Sequence, residues 1–316
     1  MGKLYFDIRV PVGAPLPELA EFIARSEDAG FDGVGVHDHP HAGRDAYIAL
    51  ALAAERTRRL RLYPATSSPN VRHPLLLASL AHSLDEIGPG RIALTVAPGF
   101  LAVRNIGRPR ATLAGLREAI LALRRLLAGQ STVVDGTEMR LRNVSGQPPA
   151  VYLLAAGPRM VELAGEVADG ALLFVGLDPE AITRAREHLA SGARRAGRSL
   201  NGFKTIFGVT LALEADPSAW LHRDFAPGQP WLSYPSASNW YWLEAAGLSA
   251  SSPETELAHA FGLFGSPEHC RDRLQEAQSI SGVDHVFLFP AHTLETGYDL
   301  PTRELEAFAR VIRPAL

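Results

Sequence analysis

Lysine and cysteine are scarce in this sequence. Of its 31 basic residues only Lys3 and Lys204 are lysines. Schiff-base chemistry or a lysine phosphate clamp therefore has just two candidate side chains. Cys270 is the single cysteine, so no disulfide can close within the chain and no zinc site can be assembled from several thiolates. No stretch reaches the roughly 18 uncharged apolar residues of a membrane span. The opening MGKLYFDIRV has no apolar run leading to a small-residue cleavage site, so no secretory signal is expected and the cytoplasm is the expected location. Neither sign of charge prevails: the net charge of −3 leaves no basic footprint for nucleic acid. Internal repeats, low-complexity tracts and an inter-domain linker are also missing.

What is present is a chain of 316 residues, 47% hydrophobic and 21% charged, the composition of a globular protein that buries a large core. Apolar runs of strand type at 4–10, 32–37, 60–66, 91–97, 151–155, 171–175, 203–213 and 285–289 alternate with helical patterns at 15–29, 45–56, 74–87, 110–128, 159–167, 179–196, 267–280 and 302–312. Strands without polar alternation are buried on both faces, as in a parallel sheet. Eight strand–helix units predict an α/β fold of the (β/α)8 TIM-barrel type, one domain over 1–316. A doubly wound sheet would carry a glycine-rich turn after its first strand, but Pro11-Val12-Gly13-Ala14-Pro15 stands there.

Two excursions interrupt the alternation. Residues 131–149 read as a β-hairpin turning at Asp135-Gly136. Residues 214–262, between strand seven and helix seven, hold all four tryptophans (Trp220, Trp231, Trp240, Trp242) with Phe225, Tyr234 and Tyr241. So many aromatics argue against disorder. A lid or substrate wall over the barrel mouth, a packed excursion, and half of a dimer interface all fit.

Barrel chemistry gathers at the C-terminal ends of the strands. Strand two ends in His37-Asp38-His39-Pro40-His41. Imidazole moves protons near neutrality and a neighbouring carboxylate can orient it, which makes His39 with Asp38 a candidate for proton transfer or cofactor contact. Metal ligation by the His-x-His pair and a solvated polar turn are the alternatives. The ligand set is thin, since only Asp38, His73 and His292 could join. Strand three ends in Ala65-Thr66-Ser67-Ser68-Pro69-Asn70, small and polar enough for a planar ligand to approach. Strand five leads through Ala155-Ala156-Gly157-Pro158-Arg159-Met160 straight into a helix. Its first amides could cradle a phosphate, donated by Gly157, Arg159 and Met160 because Pro158 has no N–H. An ordinary helix start is the plainer alternative.

Taken together, several stretches resemble the bacterial luciferase-like flavin oxidoreductase superfamily. They are Phe31-Asp32-Gly33 through His39; Ala65 to Ser68 followed by Arg72-His73-Pro74 and Leu84 to Arg91; Ala155 to Met160 followed by Glu162 to Gly170; and Gly265 to Glu268 with Gly282 to His285. The likeness spans nearly all of the chain outside 214–262. The stretch from Ala155 is most similar to the coenzyme F420-dependent branch, which includes methylenetetrahydromethanopterin reductase and F420-dependent glucose-6-phosphate dehydrogenase.

This resemblance implies a barrel, usually a homodimer, with F420 or alternatively FMN across the strand ends and a small-molecule substrate. Asp38 and His39 match a pair that contacts the cofactor, the histidine serving as acid/base. A non-proline cis peptide against the ring would fall at Ser67–Ser68. The phosphate-bearing tail would lie on the Gly157 loop. The implied activity is hydride transfer between a deazaflavin and an organic substrate. The alternative is an FMN monooxygenase fed by a flavin reductase partner; an F420 reductase could serve the first reading. One departure is plain: the sugar dehydrogenase has a glutamate after strand one where this chain has Val10-Pro11-Val12, so that activity is not expected.

Overall fold

A computed structural model describes residues 2–144, 146–213, 236–293 and 295–316. The first half runs β1 (Tyr5–Val10), α1 (Leu16–Asp28), β2 (Gly33–Val36), α2 (Ala46–Arg56), β3 (Arg61–Pro64), α3 (Pro74–Ile87), β4 (Ala93–Val96), α4 (Leu101–Asn105) and α5 (Leu113–Leu127). A hairpin of β5 (Thr132–Val134) and β6 (Thr137–Met139) follows. The second half runs β7 (Ala150–Ala155), α6 (Pro158–Val167), β8 (Gly170–Leu173), α7 (Pro179–Arg195), β9 (Lys204–Ala212), α8 (Ala237–Ala245), α9 (Glu254–Phe261), β10 (Gly262–Phe264), α10 (Pro267–Ser281), β11 (His285–Pro290) and α11 (Thr302–Ala307).

The strands pair in parallel in the order β3-β2-β1-β11-β9-β8-β7-β4, with β10 added on β9. Parallel bridges Leu62↔Ile92 and Ser67↔Val96 join the two ends and close the barrel, as the count of strand–helix units predicts. Alternate strand residues take opposite roles. Phe6, Ile8, Val10, Val34, Val36 and Leu94 pack outward against the helices, whereas Tyr63, Ala93, Tyr152, Leu172, Ile206 and Phe287 fill the lumen. Burial on both sides is why the strands read as unbroken apolar runs.

Local signals account for the helix ends. Asp45 and Thr112 cap α2 and α5 by accepting from the amides of Tyr47 and Gly115, and proline opens α3, α6, α7 and α10. The hairpin turns at Asp135 (φ 50°) and Gly136 (φ 75°), the left-handed pair that a tight two-residue loop requires. Several elements differ from the sequence expectation, among them the last helix, which is α-helical only over Thr302–Ala307 and continues as a π-helix over Phe308–Ile312. The fifth helix begins at Leu113 rather than 110, where the Thr112 cap sets its start. The five-residue α4 and three-residue β10 were too short to show a period. Within 214–262, residues 237–245 and 254–261 form α8 and α9; residues 214–235, including Trp220, Phe225, Trp231 and Tyr234, lie outside the described residues. No helix among the described residues is long and apolar enough to cross a membrane.

The N-terminal floor of the lumen is ionic. The carboxylate of Asp7 accepts from the Tyr63 hydroxyl at 2.7 Å and lies 3.0 Å from His285 Nε2 and 3.9 Å from Arg61 Nη1. Burial alone would raise its pKa, but His285, Arg61 and Tyr63 together hold it below the usual carboxylate range. Gly33 is required opposite it, since a Cβ there would stand 2.4 Å from Asp7 Oδ1.

Candidate active site

The exits of β2, β3 and β7 open onto one face, the C-terminal mouth of the barrel. Asp38 and His39 leave β2 side by side but turn to different partners. Asp38 is 3% exposed. Ser67 Oγ donates to its Oδ2 at 2.6 Å, and Arg72 donates through Nε at 3.3 Å and Nη2 at 3.1 Å. Because the Ser67 proton points at Asp38, the Tyr47 hydroxyl, 2.8 Å away, must donate to Ser67 Oγ. Arg72 also binds Asp45 at 2.8 Å and lies over the Tyr47 ring. Burial and the Asp38 charge keep Tyr47 protonated. This latch fastens the β3 exit to β2 and α2, and both Asp38 oxygens are taken up by it.

His39 faces the mouth. Its Nδ1 is hydrogen-bonded to the Tyr298 hydroxyl, and its Nε2 is buried without a partner. Burial, then His41 and Arg9, lower its pKa to about 4, so the imidazole is neutral at neutral pH. His37 stacks on it at 5.0 Å and 13°, and His41 meets it edge-on at 4.9 Å. His37 Nδ1 lies 3.0 Å from Arg9 Nη2. A guanidinium can only donate, so this nitrogen accepts and His37 carries its proton on Nε2. Burial and then Arg9 push His37 well below its ordinary value. His292 is pushed down to about 4 by the same two causes. Tyr298 reaches this cluster because residue 13 is glycine, where a Cβ would meet the Tyr298 carbonyl oxygen at 1.9 Å.

At the β3 exit the non-proline cis bond lies between Ala65 and Thr66, a correction of the expected Ser67–Ser68. Ala65 N still bonds Val36 O on β2, whereas Ser67 has already joined β4 through Ser67 N to Thr95 O and Ala97 N to Ser67 O. Ser67 is therefore already held by a bridge to β4, and the chain changes neighbours between Ala65 and Ser67. Ser68 Oγ bonds Pro98 O at 3.3 Å, and Asn70 Nδ2 donates to Pro109 O at 2.9 Å.

At the β7 exit Gly157 caps α6 in extended conformation. Its carbonyl accepts from the amides of Met160 and Val161, so the Met160 N–H is taken, and Gly157 and Arg159 remain as donors. This corrects the expected trio. The insertion helix α8 packs here. Trp242, 1% exposed, donates its indole N–H to Ala156 O at 2.5 Å, and Ser238 Oγ lies 3.5 Å from where a Gly157 Cβ would stand. Tyr241 binds His188, which pairs with Glu162 of α6.

Sequence reasoning missed Arg9, Tyr47, Arg72 and Tyr298. Arg9 had a readable signal, a charge inside a buried strand. Arg72 stands in a stretch that carries the family resemblance, but no role was read for it; Tyr47 and Tyr298 lie on a helix and in a loop where nothing marked them. Among the described residues no group of three or more His, Cys, Asp or Glu side chains is arranged to hold a metal ion.

The fold is a closed parallel barrel whose mouth carries a histidine cluster and a small-residue turn entering a helix. The luciferase-like monooxygenase family profile matches residues 6–285, and the chain belongs to that family. It is 34% identical over 203 residues to a 5,10-methylenetetrahydromethanopterin reductase of Methanolobus tindarius, the match covering 61% of this chain and 60% of the relative. It is 26% identical to an F420-dependent glucose-6-phosphate dehydrogenase of Nocardia farcinica over 93% of this chain and 94% of that one. The chain spans about 60% of the length of the reductases it matches first. In fold it is similar to the coenzyme F420-dependent tetrahydromethanopterin reductase of Methanopyrus kandleri, with a TM-score of 0.73 at 20% identity over 99% of both chains.

Proposed function

We propose that this protein is an F420-dependent oxidoreductase that passes a hydride between the deazaflavin and a small organic substrate. The observation that carries the reading is the buried, partnerless Nε2 of His39 at the β2 exit, close to the small residues of the β3 exit. The F420-dependent relatives support it. Ala65, Thr66, Ser67 and Ser68 would back the ring. The Gly157 and Arg159 amides, with the Arg159 guanidinium, would hold the phosphate of the tail at the positive end of α6. When bound, F420 supplies a two-electron hydride carrier. His39 holds the accompanying proton at Nε2, as a donor toward the reacting centre. With the Tyr298 hydroxyl donating to Nδ1, the proton sits on Nε2 and points into the mouth. Asp38 acts through the backbone, fixing the β2 exit by its bonds to Ser67 and Arg72. Helix α8 is fastened to the β7 exit by Trp242, which supports reading this part of the aromatic insertion as a wall beside the Gly157 turn.

Titration of the purified protein with F420 and with FMN, followed by fluorescence, tests the assignment. Saturable F420 binding weakened by Gly157→Val is the expected result. Tight FMN binding without F420 binding would replace it with the FMN monooxygenase reading that the family name favours.

A further inference from the structure

Among the described residues the mouth is one negative charge short. Arg9 enters the lumen from β1, one layer above Asp7, and is 4% exposed. Its Nη2 donates to His37 Nδ1 and to Gly297 O, each at 3.0 Å, and its guanidinium lies 4.9 Å over the Phe289 ring. Its Nε is buried with no acceptor. Every one of these partners is neutral. The titratable groups that face it are His37 and His39 from the β2 exit, His292 from the β11 exit, and Tyr298 beyond it. No carboxylate among the described residues pairs with it. Asp38 is engaged by Ser67 and Arg72, and Asp7 belongs to the floor. A buried guanidinium without a counter-charge is unfavourable, and burial pulls its own pKa down to about 10.

We propose that Arg9 anchors a carboxylate of the substrate at the mouth between β1 and β11. Resting on the functional reading above, this adds the chemical class of the substrate. In the closed ring of strands β1 and β7 are four positions apart, so Arg9 stands across the mouth from the Gly157 turn. The anion it awaits is thus not the phosphate assigned there. Gly297 O marks where one oxygen would sit. A carboxylate in its place would keep the Nη2 bond and bring a second oxygen to Nε, the fork geometry that arginine favours over lysine. The ligand's charge would also relieve the three histidines whose protonation Arg9 opposes, so binding should draw their imidazole titrations upward.

The test uses cofactor-free protein and two probes of equal shape, benzoate and benzamide, by calorimetry with imidazole NMR alongside. Wild type should bind benzoate roughly tenfold or more tightly than benzamide. Arg9→Met, which keeps the stem, should lose that preference, and Arg9→Lys should keep part of it. Equal binding of the two probes by wild type overturns the proposal, as does a preference that survives in Arg9→Met. Should Arg9→Met not fold, Arg9→Lys decides: an undiminished preference is equally fatal. F420 affinity, measured separately, should be unchanged in the variant that folds. If it falls while the benzoate preference stays, Arg9 serves the cofactor and the substrate assignment fails. Because the probes are read without cofactor, loss of F420 binding by wild type would sink only the functional reading.

Discussion

His39, His37 and His292 sit in the mouth with proton affinities depressed by burial and by Arg9. An unfolded imidazole titrates near 6.5. Between about pH 6.5 and 4 the unfolded chain therefore binds protons that the folded chain refuses, and stability falls as the pH falls through that window. Above it these groups add no slope. Thermal melts across pH 4–8 should show the decline, and His39→Ala should make it shallower. The same variant should lower turnover with F420 by roughly 10²–10⁴ while changing cofactor affinity much less. Unchanged turnover would remove His39 from the proton-transfer role. His39 was legible from its place after an apolar run and beside Asp38. That Asp38 turns to Ser67 and Arg72 was not, since its partners come from residues 29 and 34 positions away.

The β2 exit, the β3 exit and α2 act as one unit through Tyr47, Ser67, Asp38 and Arg72. Ser67→Ala removes the hydroxyl that accepts from Tyr47 and donates to Asp38, leaving two buried polar groups short of a partner. It should destabilise the fold by about 1–3 kcal/mol, read by urea denaturation; a neutral result would mean that water or rotation replaces the bonds. Most elements of the barrel were readable because each strand is buried on both faces and each helix repeats its apolar stripe. Elements of three to five residues, α4 and β10, were not, because one turn or one pleat carries no period. The cis bond was displaced from Ser67–Ser68 for a tertiary reason: which strand Ser67 pairs with depends on β4, and the local sequence is silent on that.

Across the whole molecule the two ends of the barrel differ, with the ionic Asp7 floor at one end and the proposed reaction site at the other. Asp7→Ala should lower stability by about 3–5 kcal/mol by orphaning His285, Arg61 and Tyr63, while the folded fraction keeps its F420 affinity. An equal loss of affinity would show that floor and mouth are coupled. Strand β1 carries both charges of the lumen axis, Asp7 and Arg9, and pairs with β2 on one side and β11 on the other. Its partners on the second side, His285 and Gly297, are far along the chain, Gly297 lying 288 positions from Arg9. Closing the ring of strands therefore needs a contact of very high sequence separation, which slows folding.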